Sequence, residues 1–468
     1  FSSASSSSRH DPSTLTSVAF LIAFLGGCIL SLMRQPIYGL VTYIGVFYLH
    51  PPSAWWGAVF GGVRWSLIAA AITLASVWLH GRRLPAVNGF WKQAIPWLYT
   101  LLIVWLAIQF GWAMIPEKQS ELLVLYLKYL VLLYVMYRIL RTEYALRVFL
   151  WSHVAGCFYM GWTAFTAYTG GRFEGFRGPD IAEANAGALT LATGFFAIGV
   201  LFLAGKWRSR VGLAGVAPFL LDGLVRTASR GGFLALTLGG AVFALFAPAR
   251  HRRMIYGLGA LAVVVFVMLA NPQFWGRIGT IKYLGAEVEA TDTGSGRLRI
   301  ILGQAHMFRD NPLGHGHRAT PYLLPSYLPD LYWRPTEGLA ESGASSHNTF
   351  MSLVSEQGVP GAIFYTALVT WTARRVLRLR TTLKGSDTFG EIVLAGVAAV
   401  VTAVFTGDMF VDYLKLEVRV WFIALLMVAG ELWLRTDGEH RESPERRRES
   451  TGDSREPPGW REGHLRAI

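Results

Sequence analysis

Long apolar stretches alternate with short polar ones along most of the 468-residue chain. Most apolar stretches run for about 17–25 residues, the length that an α-helix needs to cross a hydrocarbon core of about 30 Å. They do not show the alternation of a lipid-facing barrel strand. The pattern predicts an all-α polytopic integral membrane protein with a single transmembrane domain over residues 15–434. The stretches lie at 15–33, 36–49, 65–79, 95–114, 121–138, 148–168, 185–204, 211–226, 231–247, 254–271, 347–372, 389–407 and 418–434.

The second stretch, 36–49, is too short to cross a membrane comfortably. A helix over these fourteen residues rises about 21 Å at 1.5 Å per residue, and it is followed by His50-Pro51-Pro52. We therefore expect residues 36–64 to enter the membrane and return to the outer side. About twelve transmembrane helices remain, with both termini cytoplasmic.

The distribution of charge predicts how the helices are oriented across the membrane. Only 16% of residues are charged, against about 25% in soluble proteins. A net charge of +13 is also found in nucleic-acid-binding proteins, but here the basic residues form short clusters between apolar stretches, as the positive-inside rule expects. If all clusters are cytoplasmic, the long polar interval 272–345 faces the periplasm. The clusters lie at 82–83, 138–147, 206–210, 250–253 and 374–384.

The two ends of the chain lack an apolar pattern. The serine-rich opening, 1–14, predicts a disordered leader, and the Arg- and Glu-rich segment 435–468 predicts a disordered cytoplasmic tail. Cys28 and Cys157 lie far apart inside apolar stretches, which is typical of packing residues rather than of a redox motif.

Several arginines on the predicted outer face run against the positive-inside tendency. Such a guanidinium can extend to lipid phosphates or pair with a carboxylate, and it can equally bind a substrate phosphate through two hydrogen bonds. The sequence leaves both interpretations open. These arginines are Arg172, Arg177, Arg226, Arg230, Arg297 and Arg299.

An amphipathic helix is predicted within the polar interval, from Ser295 as N-cap to a stop at Asn311-Pro312. Its apolar positions are 298, 301, 302, 305 and 308, which follow helical spacing. Arg297 falls in the first turn, where a helix N-terminus and a guanidinium can share one anion. A buried ion pair is the competing explanation. Arg299 points to a different face and is the weaker candidate.

His347 begins the apolar stretch 347–372 and precedes Asn348. A single histidine at a membrane surface commonly caps a helix or packs, but a neutral imidazole beside an arginine-bearing helix is also suited to accept a proton near neutral pH. Glu356 lies inside the same stretch. Because a charge there is costly, we expect it to face the bundle interior and to pair.

Two further polar groups have simple explanations. Asp408, Asp412 and Lys415 either orient the histidine or pair with the outer arginines. His315-Gly316-His317 lacks a third ligand at useful spacing, so it predicts a flexible turn rather than a metal site.

Together, these residues resemble motifs of the O-antigen ligase and polymerase family of bacterial inner membranes. The likeness extends over roughly residues 150–375, and the block around His347 is the most specific. The first third is more loosely similar to O-glycosylation ligases. The motifs are Arg177-Gly178 with Asn185, Ser229-Arg230-Gly231-Gly232, Ser295-Gly296-Arg297, Asn311-Pro312-Leu313-Gly314-His315-Gly316, and Ser346-His347-Asn348-Thr349-Phe350 with Glu356-x-Gly358.

The resemblance implies a glycosyltransferase of GT-C-type fold that needs neither metal nor cofactor. Its donor would be an undecaprenyl-diphosphate-linked glycan and its acceptor a hydroxyl of the lipid A-core, with membrane lipids around it and no nucleic-acid partner. His347 would be the general base, and Arg177, Arg230 and Arg297 would bind the diphosphate. Direct attack would invert the anomeric carbon. Possible supporting residues are Arg172, Arg226, Arg299, Asn185, Asn348, Glu356 and Asp408.

Three alternatives stay open. A polymerase would use the same donor with another lipid-linked glycan as acceptor, and a protein O-glycosylation ligase would use a protein hydroxyl. An anion transporter would use the arginines as a substrate filter, but transporters commonly place charges near the midplane of two related halves. Here the charges lie towards one face and no repeat is visible.

Overall fold

The computed structural model describes residues 12–84, 89–270, 275, 294–328, 347–386, 388–412 and 415–433. All regular elements within these residues are helical, which agrees with the predicted all-α polytopic membrane protein. The α-helices are α1 Pro12–Met33, α2 Ile37–Leu49, α3 Trp65–Leu79, α4 Ala94–Ile108, α5 Pro116–Ile139, α6 Glu143–Ala167, α7 Ala184–Ala204, α8 Trp207–Arg226, α9 Arg230–Phe246, α10 Arg252–Leu269, α11 Gly294–Asp310, α12 Thr320–Tyr327, α13 Thr349–Leu383, α14 Phe389–Gly407 and α15 Glu417–Trp433.

Six helical segments in the described part of the chain are long and apolar enough to cross a membrane. They are 13–33, 94–111, 116–139, 184–204, 249–269 and 389–407. Two shorter apolar helices, α3 and α9, accompany them. These segments support a polytopic membrane protein, but they do not confirm the predicted number of about twelve spans.

The centre of the bundle is built from α7, α14 and α15. In both α7 and α14, 83% of the most apolar window is buried within the protein, compared with 6% in α10. Glycine, alanine and threonine recur along α7 and α14, and small side chains let helices approach closely. α14 packs against α7, α9 and α15. The start of α7 and the end of α14 border the candidate site.

The segment predicted to enter and leave the membrane contains α2, which packs against α1, α3 and α6. Tyr48 near its end is buried, and its hydroxyl lies 2.8 Å from Nδ1 of His153 on α6. Two 3₁₀ turns, Pro51–Ser53 and Ala58–Phe60, follow before α3. Whether 36–64 crosses or returns stays a prediction.

The chain ends lie mostly outside the described residues. Of the predicted leader 1–14, residues 12–14 belong to α1, so the helix begins earlier than the apolar pattern indicated. The tail 435–468 lies wholly outside the described part, as does much of the interval 272–345.

The apolar stretch 347–372 is interrupted, although its composition predicted a continuous helix. Gly358 has φ 67° and ψ −155°, so α13 contains a break before it continues to Leu383. That conformation is essentially restricted to glycine. A Cβ on Gly358 would lie 2.3 Å from the carbonyl oxygen of Pro312. The break therefore makes room for the segment that follows α11.

The face of α11 that contacts protein is not the one that carries the apolar positions read from the sequence. Leu298 and Leu302, placed on the apolar face by their spacing, are exposed by 59% and 52%. The buried positions are 300, 303, 304 and 307. Glycine at 303 lets Leu324 of α12 approach. The predicted helix is present, but its apolar positions do not mark its buried face, because an apolar face in a membrane protein can meet lipid instead of protein.

Candidate functional site

The first turns of α7 and α9 are joined by side chains. The hydroxyl of Ser229 donates a 2.7 Å hydrogen bond to Oδ1 of Asn185, and its oxygen accepts one from the backbone N–H of Gly232 at 3.0 Å. Ser229 is thus the N-cap of α9. Arg230, the first residue of α9, is held next to Asn185 by this pair of bonds.

Arg177 lies in the loop between α6 and α7. The loop is fixed on both sides of it, because the N–H of Phe173 donates to the carbonyl of Arg226 at 3.0 Å and Gly178 packs tightly on Phe47. Gly178 has φ 130°, and a Cβ there would lie 2.9 Å from the Phe47 carbonyl oxygen. Arg177 is half-buried, and its side chain makes no hydrogen bond or ion pair with any described residue.

Arg226 is occupied by protein partners. Its Nε lies 2.6 Å from Oδ2 of Asp222, and its guanidinium stacks on Tyr168, 4.6 Å from the ring centre. It also donates to the carbonyls of Ala164 and Phe165 at 3.3 Å each. These contacts favour the carboxylate-pairing explanation for this arginine. The spacing of Asp222 and Arg226, four apart on one helix, was a readable signal.

Arg172 also has a carboxylate neighbour. Its Nη1 lies 3.5 Å from Oε1 of Glu174 within the same loop. Both residues retain solvent exposure, so the pair contributes little to stability and leaves Arg172 able to change partner.

His347 stands at the entrance of α13. It is half-buried, and its φ of 49° lies in the left-handed region that non-glycine residues seldom adopt. The next residue, Asn348, caps α13 by accepting a 3.0 Å hydrogen bond from the N–H of Met351. The left-handed turn thus lets the chain enter the helix abruptly, with His347 immediately outside its first turn.

The entrance of α13 is tied to residues 407–411, which we call the outer turn. The N–H of Thr349 donates to the carbonyl of Asp408 at 2.8 Å, and its hydroxyl donates to the carbonyl of Val411 at 2.8 Å. The start of α9 rests on the same turn, because a Cβ on Gly231 would lie 2.8 Å from Cβ of Phe410. Arg230 and His347, one residue and two residues from these contacts, therefore border a common element.

Asp408 is the buried carboxylate of the outer turn. It forms an ion pair with Arg419 of α15 and accepts hydrogen bonds from Tyr365 at 2.9 Å and Thr349 at 3.3 Å. The carboxylate thus pairs with an arginine, but with Arg419 and not with one of the outer arginines that the sequence analysis named. Through Thr349 the same carboxylate supports the position of His347.

His315-Gly316-His317 was predicted to be a flexible turn, and this prediction was wrong, because the segment 311–318 is buried in part and hydrogen-bonded. Nδ1 of His317 lies 3.1 Å from Oε2 of Glu356, and both side chains are buried. The N–H groups of Gly316 and Val359 donate to the carbonyls of Glu356 and Pro312 at 2.8 and 2.9 Å. The expectation that Glu356 faces the interior and pairs is confirmed. Its partner escaped the sequence because nothing local links positions 39 residues apart.

Two glutamines complete the support of this segment. Nε2 of Gln109 donates to the carbonyl of Glu356 at 2.8 Å, and Oε1 of Gln119 accepts from the N–H of His317 at 2.8 Å. Both glutamines are fully buried. Sequence reasoning missed them, although amides next to apolar stretches were a usable signal.

Two cations act electrostatically on Asp180, which lies three residues after Arg177 in the same loop. Asp180 is exposed at its surface, yet nearby protein partly desolvates it and raises its pKa, while the positive charges of Lys415 and Arg318 oppose that rise. Arg318 has φ 63° and follows the buried His317. Both cations are thus within electrostatic range of the loop, and Arg318 was not among the sequence candidates.

The remaining candidates lie on α11. Arg297 falls in its first turn as predicted, and its side chain lies outside the described residues. Arg299 is exposed. Among the residues that the structure describes, no group of three or more His, Cys, Asp and Glu side chains is placed to hold a metal ion.

The described helices define a polytopic, all-helical membrane protein in which Arg230 and His347 border one turn. Residues 215–366 match the family model described as O-Antigen ligase, which agrees with the family that the sequence motifs resemble. The matched region contains Arg230, Arg297 and His347 but not Arg177. No curated protein matches the chain.

Proposed function

We propose that the chain is an O-antigen ligase that transfers a preassembled glycan from undecaprenyl diphosphate to a hydroxyl of the lipid A-core. The observation that carries this proposal is the O-Antigen ligase match over 215–366, because it includes the histidine and two of the three arginines of the site. The protein acts in the bacterial inner membrane with a GT-C-type fold, about twelve spans and both termini cytoplasmic. Its site faces the periplasm.

The arginines serve the leaving group in this reaction. Departure of a diphosphate develops negative charge, and cations fixed in advance where that charge appears lower the barrier. Arg230 is fixed by the Ser229–Asn185 bond, and Arg177 lies between two fixed points of its loop. Arg177 has no described protein partner that a phosphate would have to displace. Arg297 lies in the first turn of α11, so its positive charge and the backbone N–H groups of the helix N-terminus would bind the same phosphate.

His347 takes the proton. The acceptor oxygen attacks the anomeric carbon, the bond from that carbon to the diphosphate oxygen breaks, and the hydroxyl proton passes to the imidazole. Undecaprenyl diphosphate leaves with the bonding electrons, so the configuration inverts. The cap by Asn348 and the Thr349–Asp408 contacts hold the histidine's backbone in place, which favours proton transfer through proximity.

The test uses purified full chain, lipid-linked glycan and lipid A-core in the presence of EDTA. We expect a joined product of one transfer, and we expect its loss in His347→Ala. The matched control is His306→Ala, which changes an exposed histidine on α11. Joined product at the normal rate from His347→Ala removes His347 from the mechanism. A ladder of products identifies a polymerase, and transfer to a protein identifies an O-glycosylation ligase.

A further inference from the structure

A groove of about 720 Å³ runs between α4 and the part of α13 that follows its break. Its volume is within the range of about 300–1,000 Å³ that is usual for small-molecule sites. From Val359 to Arg378 the lining follows one face of α13, over a helical length of about 29 Å at 1.5 Å per residue. The groove is therefore about as long as a membrane's apolar core is thick.

Most of this groove is apolar, with small residues at its floor. Ala362, Thr366 and Ala367 on α13 leave a depression, and Leu98 on α4 forms the opposite wall. Trp105 of α4 donates to the carbonyl of Gln357 at 2.9 Å, and the ring of Tyr99 lies 5.6 Å from that of Phe364, so α4 and this part of α13 run antiparallel. Such a depression between helices suits a hydrocarbon chain.

One end of the groove is strongly basic. Arg374, Arg375 and Arg378 line it there. Arg375 turns inward, where it donates to the carbonyl of Met427 at 3.4 Å. Arg374 and Arg378 are exposed, and their guanidinium groups make no hydrogen bond or ion pair with any described residue. They are four residues apart on one helical face, where like charges repel each other.

We propose that this groove binds an anionic phospholipid. The phosphate lies between Arg374 and Arg378, and one acyl chain lies along the face that leads back to Ile363. Basic pockets between transmembrane helices are recognised sites for anionic headgroups, and arginine bonds phosphate through two donors. A phosphate here relieves the repulsion between the two guanidinium groups. The site is separate from the proposed transfer reaction and does not depend on it.

The glycan donor does not suit this end of the groove. The two parts of α13 fold back on each other at the break, because the rings of Phe350 and Tyr365 lie 5.7 Å apart and Tyr365 and Thr349 both donate to Asp408. Arg374 is nine positions beyond Tyr365, which is about 14 Å of helix at 1.5 Å per residue. A diphosphate that reacts beside His347 is thus more than two helical turns from Arg374. The headgroup therefore belongs to a lipid other than the one that carries the glycan.

The test measures binding of phosphatidylglycerol to the purified full chain in detergent, by native mass spectrometry and by the shift of the unfolding midpoint. Phosphatidylcholine is the neutral reference. We expect retained phosphatidylglycerol, and we expect affinity to fall roughly tenfold or more in R374Q/R378Q because two headgroup contacts are lost. The double variant R82Q/R208Q removes the same charge from exposed arginines outside the groove and should bind as the unchanged chain does.

A second variant tests the apolar half. Ala367→Phe fills the groove while all three arginines remain, so it should weaken phosphatidylglycerol binding as well. Equal affinity of R374Q/R378Q and R82Q/R208Q overturns the proposal. The proposal is also overturned if phosphatidylcholine binds as tightly as phosphatidylglycerol. It is overturned as well if Ala367→Phe dissociates a dimer without weakening lipid binding, because the groove is then occupied by a second copy of the chain.

Discussion

Nδ1 of His317 lies 3.1 Å from Oε2 of Glu356, and the two side chains expose only 2% and 3% of their surface. This contact joins the segment after α11 to the point where α13 breaks. Breaking a buried pair by removing one partner commonly costs about 3–5 kcal/mol, because the other polar group stays buried without compensation. The pair thus makes the position of the loop and the shape of α13 mutually dependent.

Removal of either partner should destabilise the protein strongly. We expect His317→Ala and Glu356→Ala each to lower the free energy of unfolding by about 3–5 kcal/mol, measured as the unfolding midpoint in detergent. The double variant should lose clearly less than the sum of the two single losses, since residues in contact are coupled. Glu121→Gln, which affects an exposed pair with Lys118, is the control with little effect. Additive losses would contradict the pairing.

The break in α13 should require glycine. Gly358→Ala places a Cβ 2.3 Å from the Pro312 oxygen in a conformation that costs other residues about 1–3 kcal/mol. We expect a lower unfolding midpoint and impaired transfer. Gly215→Ala on α8, where a Cβ meets nothing within 4 Å, should leave both unchanged or raise stability slightly. If the two variants behave alike, the break is not maintained in the protein.

We expect Arg177 to serve the reaction and Arg226 to serve the stability of the fold. Arg177→Ala should reduce glycosyl transfer by at least tenfold with little change in the unfolding midpoint, because its guanidinium has no described partner. Arg226→Ala should lower stability by about 1.5–3 kcal/mol through loss of charge-assisted bonds, to Asp222 above all. Activity at fixed folded protein and thermal unfolding distinguish the two. The reverse pattern would exchange the roles.

The carboxylate of the outer turn should matter more than the hydroxyl that donates to it. Asp408→Ala leaves Arg419 buried without its counter-ion, so we expect a loss of about 3–5 kcal/mol. Tyr365→Phe removes one 2.9 Å hydrogen bond to the same carboxylate and should cost about 1.5–3 kcal/mol. Both are read from the unfolding midpoint. Comparable losses would indicate that Asp408 does not neutralise Arg419.

Local patterns were sufficient for much of the fold. Apolar length predicted the helices to within a few residues for α7 and α14, and the Asn311-Pro312 stop marked the end of α11 correctly. Helix signals act over neighbouring positions, so they can be read from the chain itself. The buried face of α11 was not predictable in this way, since Leu298 and Leu302 obey the helical period and still lie exposed.

The sequence by itself determined the helical membrane class, the O-antigen ligase resemblance, and that Glu356 must pair, because a charge in an apolar stretch needs compensation. Only the tertiary structure decided that His317 is the partner, that α13 breaks at Gly358, and that Arg230 and His347 border one turn. Those contacts join positions tens of residues apart. They depend on how whole helices pack, which neither composition nor periodicity specifies.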